Sequence, residues 1–326
     1  MHRRRPTSLI VAALATVTIL TACSSSASDA SSTTTTRTAT SSATSTTRAT
    51  TVAATPKTCH PAAGFTKGTT THHLTIAGVD REFLVHMPPH PTAGMRLVVD
   101  FHGAGSTMLK QDFYSGFDPV ADAHGFVVAS PNGIDAAVRQ WRYFNKDDEN
   151  FAKTIVRTLA ANACVNAAHA YAVGISSGGG MTATLACQAS DVFAGFGPVA
   201  ADVYIPALCG RARRRPVIIF HGTADAAVPY GGGHIGGPSG LPIAPAETTA
   251  AAWAKHNGCR AGITRTRLSS QVVRLTWKGC AVPVVMYRIE GGGHTWPGAI
   301  PVPRLGVTTQ QISATTEMWK FFRANG

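Results

Sequence analysis

Ser176 sits in Gly174-Ile175-Ser176-Ser177-Gly178, a run that continues as Gly179-Gly180-Met181. Before it, Ala170-Tyr171-Ala172-Val173 is a short apolar stretch that reads as a buried strand; after it, Met181 to Gln188 is small, apolar and compatible with a helix. A serine between a strand and a helix must occupy a very sharp turn that pushes its hydroxyl out at the edge of the sheet. Glycines two residues before and two after it remove the Cβ atoms that would clash there, which is the pattern of a nucleophile elbow. The chemistry open to such a serine is attack on an acyl carbonyl. With 32 Gly in the chain, G-x-S-x-G arises by chance in about one such chain in five, so the pattern needs context.

A serine hydroxyl is a weak nucleophile at neutral pH and needs a base, and the base needs a carboxylate to orient it. For an elbow serine these partners follow in the order serine, acid, histidine. The acid candidate is Asp225, at the end of His221-Gly222-Thr223-Ala224-Asp225. That loop follows Pro216-Val217-Ile218-Ile219-Phe220, a continuous β-rich apolar run of the kind found in central parallel strands. An aspartate that caps the next turn is the plainer reading, but its place after a strand and in the chain order favours the triad role. The base candidate is His294, in the glycine-rich loop Gly291 to Gly298 after the strand-like run Val284 to Ile289. Among the 13 His, His221 is its main rival, but it precedes the proposed acid. The oxyanion needs two backbone N–H donors. One is assigned to Ser177, the residue after the nucleophile. The other is assigned to Ala104, in His102-Gly103-Ala104-Gly105-Ser106 after the strand Arg96 to Phe101; a plain glycine-rich turn is the alternative there.

These residues need a scaffold that delivers strand ends to one edge. Strands are expected near 81–87, 96–101, 126–130, 170–174, 216–220 and 284–289, and helices near 117–124, 150–162, 179–188, 246–256 and 308–323. Their alternation implies an α/β fold, with a mostly parallel central sheet and helices on both faces. Residues 58–326 suit one such domain.

The segment before it differs in kind. His2-Arg3-Arg4-Arg5 is a basic n-region, and Leu9 to Ala22 is apolar but too short to span a membrane. It ends in Leu20-Thr21-Ala22-Cys23, which fits a bacterial lipobox, so residues 1–22 are expected to be a lipoprotein signal peptide and Cys23 the lipidated residue. Residues 23–57 are almost all Ser, Thr and Ala and are expected to form a disordered stalk. Lipidation of one of the seven cysteines leaves six, an even number that suits disulfides in an oxidising compartment, with fifteen pairings open to sequence alone. The formal charge of +12 becomes +9 without Arg3, Arg4 and Arg5. Much of it is solvated loop charge such as Arg211, Arg213, Arg214 and Arg215; it lacks the interleaved aromatics of a nucleic-acid surface, so no nucleic-acid partner is expected.

With these motifs in view, the chain resembles the secreted family that contains feruloyl esterases, acetylxylan esterases and poly(3-hydroxybutyrate) depolymerases, and is most similar to its actinobacterial lipoprotein members. The resemblance rests on Val98 to Ser106, Asp147-Asp148 with Phe151, Tyr171 to Met181, Phe220 to Pro229, Gly291 to Gly298, and Cys259 and Cys280 flanking Trp277-Lys278-Gly279. It spans about residues 59–324 and implies an α/β-hydrolase fold. One departure is Ser177, where the family often has Asn. Together with local spacing, the resemblance favours the pairs Cys59–Cys164, Cys187–Cys209 and Cys259–Cys280. It implies a serine esterase that uses neither metal nor cofactor, and with the lipobox the expectation is a monomeric enzyme of the cell envelope, held to the outer face of the membrane through Cys23. The ester could be small or polymeric, of the feruloyl or polyhydroxybutyrate type, with Trp141 and Trp296 either walling the substrate site or packing the core. A solute-binding or cell-wall-binding lipoprotein without catalysis is the alternative from another class.

Overall fold

In the computed structural model, residues 59–134, 140–201, 209–235 and 241–326 are described, and all belong to one compact unit, Ala54–Gly326. The proposed signal peptide, the stalk and Cys23 lie outside the described residues. Among the described residues no helix is long and apolar enough to cross a membrane.

Among the described residues, ten strands form the main sheet. They are β1 (Gly68–Ile76), β2 (Val79–Met87), β3 (Met95–Phe101), β4 (Val127–Pro131), β5 (Val165–Ile175), β6 (Gly195–Val199), β7 (Val217–Gly222), β10 (Ile263–Arg267), β11 (Val272–Trp277) and β12 (Val284–Ile289). Two short strands, β8 (Gly233–Ile235) and β9 (Leu241–Ile243), pair separately. The order across the main sheet is β1-β2-β4-β3-β5-β6-β7-β12-β11-β10. Every pairing from β4 to β12 is parallel, and the outer pairings on both sides are antiparallel. The buried central strands are the apolar runs, as parallel strands covered on both faces must be.

Alternation along the strands feeds two cores. In β3, Leu97, Val99 and Phe101 face one side while Val98 faces the other. Helices α3 (Lys146–Asn162), α4 (Ser177–Gln188) and α5 (Ala246–His256) cover the first face through Phe151, Leu159, Leu185 and Trp253. Helices α2 (Phe117–His124) and α6 (Ala314–Asn325) cover the second through Phe117, Met318 and Phe322, while α1 (Met108–Ser115) lies next to β3 and β4.

All six expected strands are present, but four strands of the main sheet carried no usable signal. β1 and β10 are polar edge strands (GTTTHHLTI and ITRTR), and β11 extends that antiparallel edge. β6 reads Gly-Phe-Gly-Pro-Val, a composition that argues against a central strand. Its small residues are needed for packing: a Cβ on Gly197 would lie 3.1 Å from Met318 of α6 and from Val173. The last helix begins at Ala314 rather than near 308, because Ser313 caps it by accepting from the Thr316 N–H. Among the described residues the disulfides are Cys59–Cys164, Cys187–Cys209 and Cys259–Cys280, in agreement with the pairs the resemblance favours.

Candidate active site

Ser176 occupies the turn between β5 and α4 with φ 57° and ψ −121°, a backbone conformation that costs energy for any residue with a Cβ. Two bonds hold it there: its N–H donates to the Val199 carbonyl of β6, and its own carbonyl accepts from the Gly180 N–H, both at 2.9 Å. The glycines around it allow α4 to lie directly on the end of β3. A Cβ at Gly178 would collide with the Phe101 carbonyl, and one at Gly174 would sit 2.6 Å from the same oxygen. The serine side chain makes no capping bond to α4. Ser176 lines a cavity from the helix N-terminus, where unpaired N–H groups and the helix dipole favour negative charge.

Asp225 and His294 meet from two loops. His294 Nδ1 lies 2.8 Å from Asp225 Oδ2. A carboxylate can only accept, so this bond places the proton on Nδ1 and leaves Nε2 as the basic nitrogen. The other carboxylate oxygen accepts from the N–H groups of Ala227 (2.9 Å) and Val228 (2.8 Å). Burial alone would push this acid up. Hydrogen bonds from His221 and His294, the charge of His294 and the Val228 N–H outweigh it, and hold the Asp225 carboxyl well below its ordinary value. The loop of His294 is pinned by the His294 N–H to the Leu305 carbonyl (2.7 Å) and the Gly293 N–H to the Val307 carbonyl (2.9 Å). A Cβ at Gly293 would collide with that Leu305 carbonyl, so the glycine is needed for the close approach.

His221, the rival histidine, is also close to the acid. Its Nε2 is 2.9 Å from the Val228 carbonyl and 3.4 Å from Asp225 Oδ2. It supports the carboxylate, whereas His294 lines the cavity with Ser176.

That cavity has a volume of about 290 Å³. Ser176, His294 and the loop Gly103 to Ser106, which includes Ala104, form its reactive end. Phe113, Tyr114, Ile300, Val302 and Leu305 form its apolar walls, and Lys110 and Arg304 add two cations. Ser177 is the first residue of α4, so its N–H is one of the helix's unpaired donors.

The two tryptophans do not wall this cavity. Trp141 is 3% exposed and packs edge-on against Phe101, and its Nε1–H donates to the His102 carbonyl at 2.9 Å. Trp296 is 1% exposed and donates from Nε1 to Thr315 Oγ1 at 2.9 Å. In both the indole N–H finds an acceptor, as a buried tryptophan requires. Trp141 instead holds the Ala104 loop from behind. His102 helps from the same loop: its Nε2 accepts the Gly133 N–H (2.9 Å), so its Nδ1–H donates to the Gly103 carbonyl (2.8 Å).

A buried ion pair stands behind Trp141. Arg81 of β2 and Asp148 of α3 lie 2.9 Å apart with side chains at most 2% exposed, and Asp148 also accepts the Arg142 N–H at 2.9 Å. The Asp147-Asp148 motif thus fixes the segment that carries Trp141. Ser177, which stands where the resemblance would place Asn, accepts the Trp141 N–H on its Oγ at 3.1 Å. The change of residue keeps a polar tie between the elbow and the Trp141 segment.

No protein-family model matches the chain. It is 31% identical over 296 residues to NocK of Nocardia uniformis subsp. tsuyamanensis, named as an esterase, covering 79% of this chain and 83% of that protein. It is 27% identical over 255 residues to feruloyl esterase C of Emericella nidulans, covering 75% of this chain and 84% of that one. Among solved structures, an acetyl xylan esterase from Aspergillus awamori superposes with a TM-score of 0.58 over 78% of this chain and 99% of its own, at 15% identity.

Proposed function

We propose that Ser176, His294 and Asp225 are the catalytic triad of this chain, which belongs to the feruloyl and acetylxylan esterase family of α/β-hydrolases and is a carboxylic ester hydrolase. Ser176 Oγ attacks the ester carbonyl while His294 Nε2 takes its proton. Asp225 fixes the imidazole's tautomer and stabilises its positive form. The N–H groups of Ala104 and Ser177 receive the tetrahedral oxyanion, and losing one such donor typically costs about 2.7–4 kcal/mol of transition-state stabilisation. The imidazolium then protonates the departing alcohol oxygen, and water repeats the sequence on the acyl-enzyme. The steps need neither metal nor cofactor.

The observation that carries this reading is the His294–Asp225 bond of 2.8 Å, made beside a cavity that Ser176 lines from a strained strand-to-helix turn. A fluorophosphonate probe checks it directly. The reading requires stoichiometric labelling on Ser176, identified by peptide mapping, and none on Ser176→Ala. Labelling of another serine would contradict it.

The relatives' names point to feruloyl or acetyl esters as the first substrates to test, and the same reading extends to polyhydroxybutyrate-like polyesters. The three disulfides support export. On the sequence, the exported form is a monomer in the cell envelope: a signal peptide, 1–22, is removed, Cys23 is lipidated, a stalk, 23–57, follows, and the esterase domain is 58–326. Replacing Cys23 with Ala should move the protein from the detergent phase to the aqueous phase; retention in detergent would refute the anchor.

A further inference from the structure

The mouth of the Ser176 cavity combines apolar walls with charge of one sign. Phe113 of α1 is 71% exposed and Ile300 is 54% exposed, high values for large apolar side chains that line a binding cavity. Lys110 projects from the same short helix as Phe113, and Arg304 from the turn Pro303–Leu305. Both cations are exposed and both line the cavity, and among the described lining residues there is no Asp or Glu. Elsewhere Lys146, Lys153 and Arg288 are ion-paired with glutamates. Among the described residues neither Lys110 nor Arg304 has such a partner.

Both cations stand on anchored backbone. The start of α1 is held by the Met108 N–H to Asn132 Oδ1 (2.8 Å) and by Thr107, whose Oγ1 accepts the Lys110 N–H (3.3 Å). The turn of Arg304 is tied to the histidine loop by the His294 N–H to the Leu305 carbonyl at 2.7 Å. The backbone from which both cations extend is therefore held at the mouth of the cavity, beside a wall of Phe113, Ile300 and Val302.

We infer that the ester cleaved here carries an anionic group on the portion that reaches the mouth, next to an apolar portion that covers the exposed wall. This rests on the esterase reading of the site. A neutral ester leaves Lys110 and Arg304 facing water, whereas an anionic one is attracted by both. Exposed charge pairs are individually weak, so two together should favour the anionic ester roughly three- to tenfold, mainly through KM. Screening should erase most of this preference near 1 M salt, where the Debye length is about 3 Å.

The test uses the full chain and three esters: phenyl butanoate (neutral), 4-(butanoyloxy)benzoate (anion on the alcohol side) and phenyl hydrogen glutarate (anion on the acyl side). The expected result is a lower KM for at least one anionic ester at low salt, and the arm that responds tells which side of the ester faces the cations. In Lys110→Gln/Arg304→Gln the anionic-to-neutral ratio of kcat/KM should fall toward one, and in Lys110→Glu/Arg304→Glu below it. Taking the ratio cancels any general loss of activity. Equal KM values for all three esters, or a ratio that neither double variant moves, would overturn the inference and leave the esterase reading intact. Absence of any Ser176-dependent turnover of phenyl butanoate would overturn the esterase reading itself.

Discussion

At the scale of single residues, the chemistry depends on which histidine faces the cavity. His294 and His221 both lie within 3.4 Å of the same carboxylate oxygen, and they differ in what stands on their other side. His294→Ala should lower kcat by on the order of 10⁴-fold or more, as expected for loss of a triad member. His221→Gln removes one hydrogen bond to a buried carboxylate and should cost about 10- to 100-fold. Steady-state kinetics on a small ester separates them, and equal losses would contradict the assignment. The proposed triad can be picked out in the sequence because an elbow needs glycines at fixed offsets and its partners come in a fixed order. The cavity walls were not legible. Phe113, Ile300 and Leu305 sit on a short helix and a turn whose positions are set by packing, and no local periodicity marks them. Trp141 was visible as a large aromatic, but sequence does not tell a substrate wall from the residue that braces the loop behind it.

At the scale of elements, two buried polar contacts set the frame. Trp141 joins the segment before α3 to the loop that bears Ala104 through one hydrogen bond of 2.9 Å. Trp141→Phe keeps the apolar packing and loses that bond, so kcat should fall about tenfold with little change in KM, which progress curves at varied ester concentration will show. The Arg81–Asp148 pair holds that segment in turn. Asp148→Ala leaves the guanidinium buried without its partner and should cost about 3–5 kcal/mol of stability, measured by urea denaturation.

His86 of β2 latches α2 to the sheet, with Nδ1 2.9 Å from Asp118 and Nε2 2.8 Å from Asp122. Burial opposes its charge, but these two bonds prevail and raise the imidazole from 6.5 to about 9. A group raised on folding contributes stability that is fully present below its unfolded value and is lost as pH rises through the folded one. The latch should therefore hold below pH 6.5 and weaken through about pH 9. His86→Gln should flatten that limb of the stability profile; an unchanged limb would rule the latch out. Element positions were largely legible where strands are apolar, whereas β6 was hidden by Gly195, Gly197 and Pro198 because its burial depends on the close approach of α6.

At the scale of the whole molecule, three disulfides among the described residues close the domain. Cys59–Cys164 spans 105 residues and ties the start of the described chain to the segment before β5. In the chain-entropy picture a loop of that size gives up to about 4.7 kcal/mol, so the Cys59→Ser/Cys164→Ser variant should lose several kcal/mol in chemical denaturation. An unchanged midpoint would mean that the bridge adds nothing to the packed core. Six cysteines remain of the seven once Cys23 is set aside, and that even number made a disulfide framework legible, whereas the choice among fifteen pairings leaned on the family resemblance. The central claim of the account is that ester cleavage passes through Ser176. The most direct measurement is kcat/KM on p-nitrophenyl acetate and methyl ferulate for the full chain and for Ser176→Ala, with circular dichroism to confirm that both fold. The account predicts turnover by the native protein and a fall of on the order of 10⁴-fold or more in the variant. A folded Ser176→Ala protein that keeps its rate, or a folded native protein that cleaves neither ester, would contradict it.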